Sequence, residues 1–164
     1  MGEVTLILGG ARSGKTARAL TLTHVPRVYV ATAEAGDGEM AERIAAHKAE
    51  RGEDWDLIEA PLDLPAALAE AGPRAALVDC LTLWLSNLTA ADRDVEAETT
   101  ALLAAAASAE APVIFVSNEI GLGLVPMEPL SRRFRDAQGR LNQRVAAAAD
   151  RVEFVAAGLP LRLK

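Results

Sequence analysis

Cysteine is almost missing from these 164 residues: Cys80 stands alone, so no internal disulfide and no thiolate zinc cluster can form. That fits a reducing compartment. Aromatic residues amount to only 4%, and no stretch approaches the roughly 18 uninterrupted apolar residues of a membrane-spanning helix. No basic segment at the amino end leads into a short apolar run, so no secretory leader is expected and the predicted location is the cytoplasm. Positive charge is also in deficit. With 17 Lys and Arg against 23 Asp and Glu, the net charge of −6 argues against a protein that coats nucleic acid. The local basic runs Arg132-Arg133-Phe134-Arg135 and Arg140 to Arg144 could still hold a phosphate-bearing ligand; a solvated helix face is their plainer use.

Apolar residues reach 51% and rest largely on alanine, which predicts an aliphatic core and alanine-rich helices. The length predicts one domain over residues 1–164. Short β-rich runs occur at Val4 to Leu8, Arg27 to Ala31, Ala75 to Asp79, Pro112 to Ser117 and Arg151 to Val155. Helical composition fills Lys15 to Thr23, Gly38 to Arg51, Leu64 to Ala71, Thr82 to Ala90, Val95 to Ala109 and Pro129 to Ala149. Such alternation predicts an α/β fold with a mainly parallel sheet flanked by helices. Two weaker strands are expected, at Trp55 to Glu59 and, antiparallel, at Leu161 to Lys164.

Gly9-Gly10-Ala11-Arg12-Ser13-Gly14-Lys15-Thr16 fits the phosphate-loop pattern G-x-x-x-x-G-K-[ST] and stands between a predicted strand and a predicted helix. The glycines permit a backbone arch whose N–H groups turn inward, Lys15 meets the phosphates, and Thr16 offers a magnesium ligand. Such loops are commonly partnered by an acidic residue at the end of a neighbouring apolar strand. Ala75-Ala76-Leu77-Val78-Asp79 supplies one; capping of the following helix is the alternative role for Asp79.

Of the two histidines, His24 lies in a predicted turn and His47 in a predicted helix. Helical spacing aligns Arg43, His47 and Arg51 on one face. Adjacent cations favour a neutral, nucleophilic imidazole and would neutralise a phosphate brought to it. Spacing alone leaves open an ordinary surface histidine in a salt-bridged helix.

A wider set of segments accompanies the phosphate loop: Ala31-Thr32, Glu39-Met40, Arg43-Ile44 with His47, Ser117-Asn118-Glu119, Gly121, Gly123-Leu124-Val125-Pro126, and Arg135-Asp136 through Gly139-Arg140-Leu141-Asn142-Gln143. In order, and over nearly the whole chain, this set resembles the bifunctional adenosylcobinamide kinase and adenosylcobinamide-phosphate guanylyltransferase family. The resemblance implies a phosphate-loop NTPase-like (RecA-like) fold and two reactions. ATP or GTP phosphorylates adenosylcobinamide; GTP then donates GMP to the resulting phosphate through a histidine carrier, giving adenosylcobinamide-GDP and pyrophosphate. It implies that His47 is the carrier and Lys15 the catalytic cation. Residues Gly9, Gly10, Ala11, Arg12, Ser13, Gly14, Lys15, Thr16, Ala31, Thr32, Ala33, Lys48, Ala49, Glu50, Arg51, Glu59 and Asp79 would surround the nucleotide. Thr16 and Asp79 would serve Mg2+, and the protein would be a homo-oligomer, a trimer. Two departures stand out: Thr16 where relatives often have serine, and Asp79 where some have glutamate. Two rival readings remain open, a small-molecule or nucleotide kinase without a covalent intermediate and a regulatory nucleotide switch; the absence of an Asn-Lys-x-Asp guanine motif weighs against the latter.

Overall fold

The structure, a computed structural model, describes residues 1–33, 42, 45, 49, 52 and 54–164. Through them run β1 (Val4–Gly9), α1 (Lys15–Leu22), β2 (Arg27–Ala31), β3 (Asp56–Glu59), α2 (Leu64–Ala71), β4 (Ala75–Asp79), α3 (Leu81–Ala90), α4 (Val95–Ser108), β5 (Val113–Asn118), α5 (Pro129–Ala148), β6 (Arg151–Ala156) and β7 (Leu159–Arg162). Of the helix expected over Gly38 to Arg51, the described residues Glu42, Ala45 and Ala49 are helical and exposed. His47, Lys48, Glu50 and Arg51 lie outside the described residues.

The strands form one sheet in the order β3-β2-β4-β5-β1-β6-β7. Every pairing is parallel except β6 with β7. The exception follows from its connection. Ala157 and Gly158, at φ 52° and 76°, make a two-residue turn of the type that matches strand twist and returns the chain at once. This immediate return places the last strand at Leu159–Arg162, two residues earlier than the sequence pattern suggested.

Alternation along the strands sorts side chains onto two faces. Leu6, Leu8, Val28, Val30, Val78, Val113 and Phe115 join Leu64, Leu68, Trp84, Leu85, Leu88, Leu102, Leu141 and Val145 of α2 to α5. Ile7, Tyr29, Leu77, Ile114, Val116 and Val155 pack with Ala19 of α1 on the other face. The core is aliphatic as expected, with Trp84 and Phe115 its large aromatics, both fully buried. Trp84 spends its indole N–H on the Leu62 carbonyl at 2.7 Å, so its burial leaves no donor unpaired. Among the described residues, no helix is long and apolar enough to cross a membrane.

One buried charge ties the first helix to the sheet. Glu153 on β6 is 2% exposed and accepts from Arg18 Nε at 2.8 Å and Arg151 Nε at 2.9 Å. The hydrogen bond from Arg18, against the opposing cost of burial and with further help from Arg151, holds the carboxyl well below its ordinary 4.5, at about 2. A depressed carboxyl contributes stability that is present above its unfolded value and is lost as pH falls through 4.5 toward 2. Glu153→Gln strands two guanidiniums that are themselves 28% and 27% exposed, so the cost should fall below that of a fully buried pair, at about 2 kcal/mol. Denaturant titrations at pH 7 and pH 3 check this: the variant should be weaker at pH 7 and lose less stability on acidification than the native protein.

Candidate active site at the carboxyl edge of the sheet

The loop between β1 and α1 is shaped by what its glycines must avoid. A Cβ on Gly9 would sit 2.7 Å from the Val155 carbonyl oxygen and 2.4 Å from Ser13 Oγ. Gly14 opens α1 at φ 93°, a left-handed conformation, and no side chain caps the helix. The first amides of α1 are therefore left for an incoming acceptor, where the helix end carries partial positive charge. The β6–β7 turn braces the loop from outside: Gly158 N donates to the Ser13 carbonyl at 2.8 Å. Arg12 is exposed at φ 53°, and Ala11 is exposed beside it.

Lys15 reaches back over the arch and donates from Nζ to the Gly10 carbonyl at 2.8 Å. Burial lowers its pKa from the usual 10.5, while the Asp79 carboxylate acts in the opposite sense. Thr16 donates from Oγ1 to Asp79 Oδ2 at 3.2 Å, across 63 positions of sequence. The same carboxylate oxygen accepts from Tyr29 Oη at 2.7 Å. Asp79 therefore does not cap α3; Cys80 holds that position without a side-chain bond. Cys80 is buried, and burial first, then the Asp79 carboxylate, pushes its thiol up to about 11. It is a neutral packing residue.

Other expected site residues take different positions. Thr32 is fully buried, its hydroxyl accepting from Cys80 N and donating to the Cys80 carbonyl, each at 2.8 Å. It clamps the turn after Asp79. Ala31 and Ala33 are half-buried on either side of it. Glu59 is exposed at the end of β3, four strand steps from β1 in the sheet order, or about 19 Å. Lys15, Thr16 and Asp79 thus come together, and Glu59 lies at the far end of the same edge.

The sequence pattern did not mark Tyr29, the only tyrosine, as a partner of Asp79; its place two residues before Ala31 on a predicted strand was the available signal. Nor did it mark the buried polar group behind β5. Ser117 Oγ donates to Asn142 Oδ1 at 2.7 Å, Gln138 Nε2 donates to both, and Asn142 Nδ2 donates to the Asn118 carbonyl at 3.1 Å. The basic run of α5 is engaged as well. Arg132 donates to the carbonyls of Pro126 and Met127, and Arg135 to those of Gly121 and Leu124. These guanidiniums hold the 119–128 loop, a use that neither the phosphate reading nor the solvated-face reading anticipated, because a loop's own carbonyls carry no sequence signature.

Among the described residues no group of three or more His, Cys, Asp or Glu side chains could hold a metal ion. The hydroxyl of Thr16 and the carboxylate of Asp79 nevertheless form an oxygen pair of the kind that serves magnesium beside phosphate, where water and phosphate oxygens supply the remaining ligands.

A family model described as cobinamide kinase / cobinamide phosphate guanyltransferase matches residues 5–163. The bifunctional adenosylcobalamin biosynthesis protein CobP of Pseudomonas aeruginosa is 50% identical over 167 residues, 97% of this chain and 96% of that protein. The bifunctional adenosylcobalamin biosynthesis proteins CobU of Salmonella typhimurium and Escherichia coli are 39% and 36% identical, each over 97% of this chain and 98% of theirs. The crystal structure of flagellar accessory protein FlaH from Methanocaldococcus jannaschii is similar with a TM-score of 0.56 over 99% of this chain and 78% of that one. At 12% identity that likeness is one of fold.

The two glycines that open the loop should respond differently to a methyl group. Gly9→Ala meets backbone oxygen and should lose about 2 kcal/mol of folding stability, an overpacking cost. Gly10→Ala meets nothing within 4 Å and should fold as the native protein does. Thermal and denaturant unfolding of the pair compares them directly.

Proposed function

The chain belongs to the cobinamide kinase / cobinamide phosphate guanyltransferase family, and on that premise we propose that it performs both reactions with the phosphate loop as their shared nucleotide site. In the first, the aminopropanol hydroxyl oxygen of adenosylcobinamide bonds to the γ-phosphorus of ATP or GTP while the bond to the bridging oxygen breaks. In the second, a nitrogen of His47 bonds to the α-phosphorus of GTP and pyrophosphate leaves. An oxygen of adenosylcobinamide phosphate then takes the GMP as the phosphorus–nitrogen bond breaks, giving adenosylcobinamide-GDP. The observation that carries this reading is the convergence of Lys15, Thr16 and Asp79 at the carboxyl edge, where Thr16 and Asp79 meet at 3.2 Å.

Lys15 exchanges its bond to the Gly10 carbonyl for phosphate oxygens, and the amides of Gly9 to Thr16 with the open end of α1 surround the phosphates. Mg2+, held through Thr16 and Asp79, adds neutralisation of the phosphate charge. Tyr29 and Thr32 keep Asp79 in place. Ala31, Ala33 and Glu59, with Lys48, Ala49, Glu50 and Arg51, are assigned to the nucleoside end, which suits the distance of Glu59 from the loop. The whole of 1–164 acts as one domain in the cytoplasm, as a homotrimer; light scattering at working concentration should give three times the mass of the 17.2 kDa chain.

Lys15→Ala should lower both activities by about 100-fold or more, the scale of a lost electrostatic stabiliser. With GTP labelled at the α-phosphate, native protein and His24→Ala should retain acid-labile, base-stable label, and His47→Ala should retain none. Because only neutral imidazole attacks, labelling should rise with pH through the titration of that histidine. Label kept by His47→Ala and lost from His24→Ala would move the carrier; no label on any protein would favour a kinase without a covalent intermediate.

A further inference from the structure

β5 lies between β1, which carries the loop, and β4, which carries Asp79. Its Val116 is level with both Ile7 and Asp79, and its last residue, Asn118, is level with Gly9. Asn118 therefore stands two residues, or about 6.6 Å, beyond the level of Asp79 along the same edge. Ile114 and Val116 pack on the face of α1, while Ser117 turns to Gln138 and Asn142 of α5. By alternation Asn118 shares the α1 face. A Cβ on Gly9, in register with it, would point at Ser13 of the loop, so the loop arches over that face at the level of Asn118.

The backbone of Asn118 is held by side chains rather than by a continuing strand. Its N–H donates to Thr82 Oγ1 at 3.0 Å and its carbonyl accepts from Asn142 Nδ2 at 3.1 Å, while Glu119 N donates to the Gly9 carbonyl at 3.0 Å. Asn142 is fixed in turn by Ser117 and Gln138. Four polar side chains thus fix one backbone position beside the loop, yet the carboxamide of Asn118 makes no hydrogen bond to a described residue. A neutral amide donor on a fixed backbone, with no hydrogen bond to a described residue, suits a phosphoryl group next to a carboxylate, since a second positive charge would be drawn to Asp79.

We propose that the Asn118 carboxamide donates to an oxygen of the terminal phosphate of the bound nucleoside triphosphate, placing that phosphate over the end of β5 between the loop and Asp79. The inference rests on the reading of the loop as a triphosphate site. It assigns to Asn118 discrimination of triphosphate from diphosphate and stabilisation of the phosphoryl group as its bond to the leaving oxygen lengthens. The buried group of Ser117, Gln138 and Asn142 acts through Asn118 as a positioning device.

The test measures cobinamide phosphorylation and the affinities of GTP and GDP for native protein, Asn118→Ala, Asn118→Asp and Lys15→Ala. Asn118→Ala should lower kcat by about 100-fold, as removal of a single preorganised donor does. It should weaken GTP by about tenfold, leave GDP unchanged, and keep the native melting temperature, because the structural bonds of Asn118 are made by its backbone. Asn118→Asp has the same shape without the donor and should be no better than alanine. Native turnover in Asn118→Asp would show that shape alone matters, and equal loss of GTP and GDP affinity in Asn118→Ala would show a general disturbance of the edge; either overturns the proposal. If Asn118→Ala behaves as native while Lys15→Ala fails, only the role of Asn118 falls. If Lys15→Ala is also unaffected, the nucleotide site itself lies elsewhere.

Discussion

The parallel register of three neighbouring strands is the constraint on which the site depends. Gly9 of β1 is level with Asn118 of β5, and Val116 of β5 is level with Asp79 of β4. Parallel pairing brings all three strands to the same edge, where α1 begins after the loop. A slip of one residue in either pairing would turn Asp79 toward α3 to α5 and remove the partner of Thr16. Asn87 of α3 strengthens the same edge by donating to the carbonyls of Thr32 and Pro61, which follow β2 and β3.

Charge at this edge is arranged in a short range around Lys15. Burial disfavours its ammonium form, and the Asp79 carboxylate counters part of that cost. Asp79 accepts from two hydroxyls, those of Thr16 and Tyr29, which orient its carboxylate in the neighbourhood of Lys15. Farther back, the Arg18–Glu153 pair anchors α1 to β6, and the turn at Gly158 presses on the loop from outside. The first helix is therefore fixed at its side as well as by its packing on Ile7 and Val116.

The segment after β5 has a different character. Arg132 and Arg135 draw its carbonyls inward, and its apolar side chains are left outward, with Leu122, Leu124 and Met127 at 83%, 96% and 93% exposure. Its root is tied to the loop through Glu119 and Gly9. This combination of a fixed backbone and an exposed apolar surface differs from the tightly paired polar residues Ser117, Gln138 and Asn142.

The sequence by itself determined the elements and the chemistry of the loop. Glycines at Gly9, Gly10 and Gly14 ahead of Lys15 and Thr16 have few structural uses other than a phosphate cradle, and apolar runs punctuated by helix formers allow little but an α/β sheet. The wider motif set carried the family, since those residue types recur in that order. Boundaries moved where local geometry was decisive, as at the two-residue turn that drew β7 forward. What only the tertiary structure decided is partnership: that Tyr29 and Thr16 share Asp79, that Thr32 turns inward to Cys80, that Arg132 and Arg135 bind carbonyls, and that Glu59 stands far from the loop after β1. These facts depend on strand order, because a one-dimensional pattern states which face a residue takes but not which strand lies beside it. Strand order is set by the packing of helices over the sheet, an interaction among residues distant in the chain.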